Sequence, residues 1–226
     1  MKEYRQHRFT RPPGSTEILL VRHGESAPFV PGEPFETVDG HGDPALSPLG
    51  HAQAERVGER LKNAGIDAIY VTSLRRTAET AAPLAAHLGL TPIVEPDLRE
   101  VHLGEWEGGL LRQKAYDGDP IFLQMHEEER WDVIPGAESW ETVHARVSSA
   151  LNRIVSKHPD QLVAAFVHGG IVGHILSHAA SARRFAFNGA DNGSISHIVV
   201  TDGRIMLRRF NDASHLVDLM SEGLPT

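Results

Sequence analysis

The 226-residue chain contains no cysteine. That absence excludes disulfides, thiol nucleophiles and cysteine-ligated zinc, and it leaves the redox compartment unreadable. Positive charge is in deficit: 22 Lys and Arg face 30 Asp and Glu, giving a formal net charge of −8. A general nucleic-acid binder is not expected from that balance, although a small anion can still bind where a few basic side chains converge. No apolar run approaches the length of a membrane span. The first 17 residues carry Lys2, Arg5, Arg8 and Arg11 around no apolar centre, so they do not read as a secretory signal. Residues 1–16 are expected to form a flexible tail, and the expected location is cytoplasmic. The rest is ordinary for a globular protein, 40% hydrophobic and 23% charged. The length suits one large α/β domain with a substantial core, spanning 17–226.

The pattern along the chain alternates strands and helices. Ile18 to Val21 reads as a buried strand, and Ala27 to Pro44, with four prolines, as a long loop. Ser47-Pro48 opens a helix that ends near Ala64-Gly65. Ala68–Val71 is a second strand, Ala78–Leu88 an alanine-rich helix closed by Gly89, and Thr91–Val94 a short edge strand. Leu110 to Trp131 reads as surface helices broken near Gly118-Asp119-Pro120, and Ser139 to Lys157 as a long amphipathic helix. Leu162–Val167 is a buried strand, Ile171–Ala180 a helix, and Ile195–Val200 with Arg204–Phe210 a hairpin through Asp202-Gly203. This order predicts a three-layer α/β/α sandwich around a mostly parallel sheet, with insertions at about 27–44 and 110–137.

Four segments carry the polar chemistry. Arg22-His23-Gly24 follows the first strand, and Arg75-Arg76 with Thr77 and Thr80-Ala81 follows the second. Leu98-Arg99-Glu100 precedes Gly104-Glu105-Trp106-Glu107-Gly108, and His168-Gly169-Gly170 follows the strand at 162–167. Three of the four lie at C-terminal strand ends, where open α/β sheets place their ligands. A histidine there can attack phosphorus while guanidinium groups hold phosphate oxygens. Those cations also keep the nearby imidazole neutral and nucleophilic.

Together the segments resemble the histidine phosphatase superfamily, the phosphoglycerate-mutase-like proteins, from about Glu17 to Phe210. Asp43 to Gly50, Pro135 to Ser139 and Asn192 to Ile195 also look like family segments. The resemblance implies a phosphoglycerate-mutase-like fold and a nucleophilic His23. It places Arg22, Arg76 and His168 around the phosphate, adds Ser26 and Gly169 to the substrate-binding set, and makes Glu100 the proton donor to the leaving oxygen. Arg76 matches the family pattern better than Arg75. It implies no metal and no other cofactor, and a small phosphorylated molecule as the partner. Gly104-Glu105-Trp106-Glu107-Gly108 looks like the phosphatase branch. The expected activity is hydrolysis of a small phosphomonoester through phosphohistidine, with a phosphoglycerate-type mutase or a non-catalytic interaction protein as alternatives. One departure stands out: Phe29 occupies the place of the family's common pocket asparagine.

The remaining polar residues have plainer readings. His41, His51, His102, His126, His144, His174, His178 and His197 are expected on the surface, because His174-x-x-x-His178 lacks the glutamate of a zinc hydrolase motif. Trp106 reads as a packing residue and Glu127-Glu128-Glu129 as a solvated helix face. The two insertions are expected to wall the phosphate with Phe29, Phe35, Phe122 and Trp131.

Overall fold

A computed structural model of the chain describes residues 3–219; residues 1–2 and 220–226, the outer ends of the expected tail and domain, lie outside them. The chain opens on β1 (Thr16–Arg22) and a small hairpin of β2 (Thr37–Val38) with β3 (His41–Gly42). Then follow α1 (Pro48–Leu61), β4 (Ala68–Val71), α2 (Arg75–Leu88) and β5 (Ile93–Val94). The second half runs α3 (Leu110–Asp117), α4 (Pro120–Glu128), α5 (Trp140–Lys157) and β6 (Leu162–Val167). It closes with α6 (Gly169–Ala179), β7 (Ile195–Thr201) and β8 (Arg204–Asp212).

Most boundaries follow from local chemistry. The Ser47 hydroxyl accepts the Gly50 N–H at 3.1 Å, and Pro48 sits in the first turn of α1. Gly89 ends α2 in the left-handed region, at φ 64°. One boundary does not follow: α2 begins at Arg75, three residues before the predicted Ala78. Leu74 has no side-chain oxygen to cap the helix. The Arg75 N–H donates instead to Asp43 Oδ1 at 2.8 Å, a cap from a segment 32 residues away. The predicted loop at 27–44 also contains the β2–β3 hairpin. At the other end, Arg11 donates to Asp160 O at 2.6 Å and the Gly14 N–H to Asp160 Oδ1 at 2.7 Å. These bonds fasten the last stretch of the expected tail to the turn before β6.

The main sheet has the order β5-β4-β6-β1-β7-β8. β5, β4, β6 and β1 are parallel, while β7 runs antiparallel to β1 and β8 antiparallel to β7. Alternate residues of β1 serve opposite faces. Ile18 and Leu20 pack with α5 and α6; Leu19 and Val21 pack with α1 and α2. Both faces are therefore covered, which gives the three layers. From β1 the chain crosses to β4 on one side; from β6, the neighbour of β1, it crosses to β7 on the other. The C-terminal edge between β1 and β6 is thus the switch point of the sheet. A smaller apolar cluster around Trp106, Met125 and Ile134 holds the 103–137 region together over that edge.

Two histidines expected on the surface are buried, His41 at 8% exposed and His174 at 4%. His174 lies in α6 against Trp140, with ring centroids 4.0 Å apart, and its Nε2 is 3.4 Å from His144 Nδ1. The apolar face of a short helix claimed it, and a neutral imidazole suits such a site. Burial, followed by the His144 and His178 charges, lowers its pKa to about 3. The unfolded chain, with an ordinary histidine pKa of about 6.5, therefore binds a proton that the folded chain refuses between those values. Stability is full above pH 6.5 and falls by about 1.4 kcal/mol per pH unit on acidification through that window. Replacing His174 with Gln should flatten that part of the pH dependence. Urea midpoints of both proteins at pH 7.5 and 4.5 check this, and parallel losses would refute it.

Candidate active site

The registers of three strands bring the site together. Arg22 pairs with Val167 across β1 and β6, and Val71 pairs with Phe166 across β4 and β6. The residues that leave these strands, His23, His168 and Thr72, therefore emerge side by side.

His23 is buried, at 7% exposed. Its Nδ1 lies 2.7 Å from the Gly24 carbonyl oxygen, which can only accept, so Nδ1 carries the proton. That leaves Nε2 with a free lone pair, to which Arg76 Nε–H donates at 3.2 Å. Burial first, then the charges of Arg76 and Arg22, holds the His23 pKa well below the ordinary histidine value. The result is a neutral imidazole with its nucleophilic nitrogen facing a guanidinium.

Of the two adjacent arginines, Arg76 enters the site and Arg75 stays exposed. Arg76 is 7% exposed and also donates to the Gly42 carbonyl at 2.9 Å. The Asp43 carboxylate that caps α2 lies 3.9 Å from Arg76 Nη1 and fixes the same arginine. Arg22 donates to the Ala190 carbonyl, while its Nε is buried with no acceptor. Gly169 backs onto Arg22: a Cβ there would stand 3.2 Å from Arg22 Nε.

His168 is fully buried behind His23, with ring centroids 5.1 Å apart. Its Nε2 lies 3.0 Å from Thr72 Oγ1. Thr72 Oγ1 already accepts the Leu74 N–H, and the Thr77 hydroxyl donates to the Leu74 carbonyl. Thr72 Oγ1 also lies 3.1 Å from Thr77 Oγ1, so the two hydroxyls and His168 Nε2 form one buried hydrogen-bonded chain. His168 Nδ1 is buried without a partner, as is Arg22 Nε, so the site holds two nitrogens whose hydrogen-bonding capacity is unmet.

Glu100 faces these groups from the segment after β5. Its Oε1 accepts the Val101 N–H at 2.9 Å and its Oε2 accepts the Gly170 N–H at 3.2 Å, at the start of α6. Gly170 must be glycine for this approach, because a Cβ there would come within 2.5 Å of Glu100 Oε1. The Glu100 loop is pinned by Arg146, a residue sequence reasoning passed over. Arg146 donates to the carbonyls of Asp97, Arg99 and Glu100 at 2.7, 2.8 and 3.0 Å, and forks onto Glu138. The signal was available: Arg146 interrupts the apolar stripe of α5 beside Val143 and Val147. Burial raises the Glu138 pKa, and the Arg146 bonds outweigh it and leave the carboxyl below its usual range.

Above these groups lies a pocket of about 360 Å³. Arg22, His23, Ser26, Arg76 and Glu100 line it, joined by His41, which was expected on the surface, by Asn192, named only within a family segment, and by Arg112, which the sequence reading did not single out. Arg112 reaches in from α3, and the Asn192 side chain donates to the His23 carbonyl at 2.9 Å. The walls differ from expectation. Phe35 and Trp106 line the pocket, whereas Phe122 and Trp131 are drawn into the apolar cluster around Met125 and Ile134. Phe29 lines a neighbouring groove and packs on Gly109, whose φ of 104° and close ring contacts leave no room for a Cβ. Among the described residues no group of three or more His, Asp or Glu is placed to hold a metal ion.

Comparison with known proteins identifies the family. Residues 18–213 match the model of the histidine phosphatase superfamily, branch 1. A phosphoglycerate mutase-like protein 4 of Arabidopsis thaliana is 35% identical over 88% of this chain and 86% of that protein. A metal-independent phosphoserine phosphatase of the same plant is 30% identical over 89% of this chain and 83% of its own length. Among solved structures, a mycobacterial glucosyl-3-phosphoglycerate phosphatase superposes with a TM-score of 0.73 and 28% identity, covering 87% of this chain and 99% of its own. With the family match running from β1 to the end of β8 and the buried His23 at the switch point, the chain belongs to branch 1 of the histidine phosphatase superfamily.

Proposed function

We propose that this phosphatase hydrolyses a small phosphomonoester in two steps on His23. A phosphate monoester is roughly dianionic at neutral pH, and moving its phosphoryl group mainly requires alignment and charge neutralisation. Arg22, Arg76 and His168 supply donors for the non-bridging oxygens, and the two buried nitrogens without partners, Arg22 Nε and His168 Nδ1, stand among them. The incoming anion is a better acceptor for Arg76 than an imidazole lone pair, so binding frees His23 Nε2. Nε2 then forms a bond to phosphorus as the ester P–O bond breaks, and the Glu100 carboxyl gives its proton to the leaving oxygen. In the second step Glu100 takes a proton from water, the resulting hydroxide attacks phosphorus, the P–N bond breaks, and phosphate leaves.

The observation that carries this reading is the tautomer of His23: proton on Nδ1, lone pair on Nε2, buried between two arginines. A panel of phosphomonoesters assayed with a chelator present tests it. Chelator-resistant phosphate release is expected. If 3-phosphoglycerate instead gave 2-phosphoglycerate without free phosphate, the chain would be a mutase. If no ester were turned over, a binding role would replace both.

A further inference from the structure

The backbone of the nucleophile rests on a turn from the segment before β7. Asp191 to Ser194 form that turn, closed by the Ser194 N–H on the Asp191 carbonyl at 3.0 Å. The Gly193 N–H donates to the Arg22 carbonyl at 3.0 Å and to the His23 carbonyl at 3.3 Å. The Asn192 side chain adds its bond to the His23 carbonyl, and the Arg22 N–H donates to the Ser194 carbonyl at 3.1 Å. Gly193 is left-handed, at φ 74°. A glycine turn is conformationally permissive, so its geometry has to be imposed by its neighbours.

The end of the chain supplies those neighbours. Asn211, at the end of β8, accepts the Asp191 N–H on its Oδ1 at 2.7 Å and donates its Nδ2–H to Asp191 Oδ2 at 2.8 Å. Asp212 Oδ1 then accepts from the Ser214 N–H at 3.2 Å and from the Ser214 hydroxyl at 2.7 Å, opening a short 3₁₀ helix over Ser214–Leu219. From it His215 Nε2 comes within 3.1 Å of the Gly193 carbonyl oxygen. A carbonyl can only accept, so Nε2 carries a proton. Burial first, against the Gly193 bond and the Asp212 charge, holds the His215 pKa below the ordinary histidine value, so the ring is neutral. Its other nitrogen, Nδ1, is buried without a partner, and the ring's one proton goes to Gly193. The next residue, Leu216, is buried against the same glycine: a Cβ on Gly193 would stand 3.2 Å from Leu216 Cδ1. Neither His215 nor Asn211 lines the phosphate pocket.

We propose that His215 is a positioning residue: through the Gly193 carbonyl it fixes the turn that sets the backbone of Arg22 and His23, and with it the line along which His23 Nε2 approaches phosphorus. Asn211 holds the same turn from the Asp191 side. This rests on the phosphatase reading above. Arg76 and His168 belong to other elements and keep their phosphate contacts when the turn moves, so the chemical step should suffer more than binding. His215→Leu, His215→Gln and Asn211→Asp are compared with the wild type on one ester, with urea midpoints measured alongside. In His215→Leu kcat should fall by about 10–100-fold, the scale of a small misalignment of the attacking atom, while KM and the inhibition constant of inorganic phosphate move by less than about threefold. His215→Gln offers an amide N–H in place of Nε2–H and should recover most of that kcat, even with a urea midpoint no higher than that of His215→Leu. Asn211→Asp tolerates the left-handed backbone at φ 53° but sets a carboxylate against Asp191, and should lower kcat in the same way. An unchanged kcat in His215→Leu would overturn the proposal. So would a His215→Gln as slow as His215→Leu, which would make the effect one of packing, or equal changes in kcat and KM, which would place it on binding. Where His215→Leu does not fold, Asn211→Asp decides, and a wild-type kcat there overturns the proposal equally. Ester turnover unimpaired by these changes leaves the phosphatase reading standing, whereas a wild type inert to every ester removes both.

Discussion

His23→Ala is expected to lower kcat by about four orders of magnitude or more while the protein stays folded, as when a covalent nucleophile is removed from its constellation. No neighbouring residue can take over the attack. The other imidazole in the site, His168, has its Nε2 engaged by Thr72 and is fully buried behind His23. Arg22 and Arg76 still bind phosphate in the variant, so KM should change far less than kcat. Quenching a turnover reaction with radiolabelled ester should trap an acid-labile, base-stable phosphoenzyme in the wild type and none in His23→Ala. A variant that kept even a tenth of wild-type turnover, or that trapped the same species, would remove His23 from the mechanism.

Glu100→Gln should separate substrates by their leaving groups. A carboxamide has no acidic proton to give, so alkyl phosphates, whose oxygen must be protonated as it leaves, should lose about 10²–10⁴-fold in kcat/KM. With 4-nitrophenyl phosphate the leaving oxygen needs little help, so the first turnover should stay fast. The second step still needs a base for water, so a burst of nitrophenol followed by slow turnover is expected. Equal defects for both ester types would contradict a proton-donor role. The change also alters positioning, because the two carboxylate oxygens each accept a backbone N–H, from Val101 and from Gly170. A glutamine can accept only one of these through its carbonyl oxygen. The leaving-group dependence is therefore the informative readout, since a displaced side chain would slow both esters alike.

The site was legible in outline because its chemistry sits in short local motifs at strand ends. β4 and β6 match their predicted spans residue for residue, and their side chains are buried almost throughout. The break between α3 and α4 was readable from Gly118 and the Asp119-Pro120 cap. Long-range partners were not readable. The start of α2 depends on Asp43, and the Glu100 loop depends on Arg146 forking across three carbonyls from another helix. The burial of His174 depended on which face of α6 met α5, a matter of packing that composition does not reveal.

The sequence by itself determined the alternating α/β order, the sheet that buries both faces of β1, and the histidine and arginine at the ends of its strands. These are local properties: a period of two or 3.6 residues, a cap, a turn residue. Only the tertiary structure decided which nitrogen of His23 is free, how Arg76, which the family pattern already favoured over Arg75, is held inward, and that Phe122 and Trp131 leave the pocket while Arg112 enters it. The carbonyl of the next residue, Gly24, sets the His23 tautomer, and the rest is fixed by atoms from segments distant in sequence, Asn192 at the His23 carbonyl, Asp43 and Gly42 around Arg76, Ser26 and Ala27 around Arg112. Their positions follow from the strand registers and the packing over the switch point, where hydrogen bonds and charges must be satisfied together.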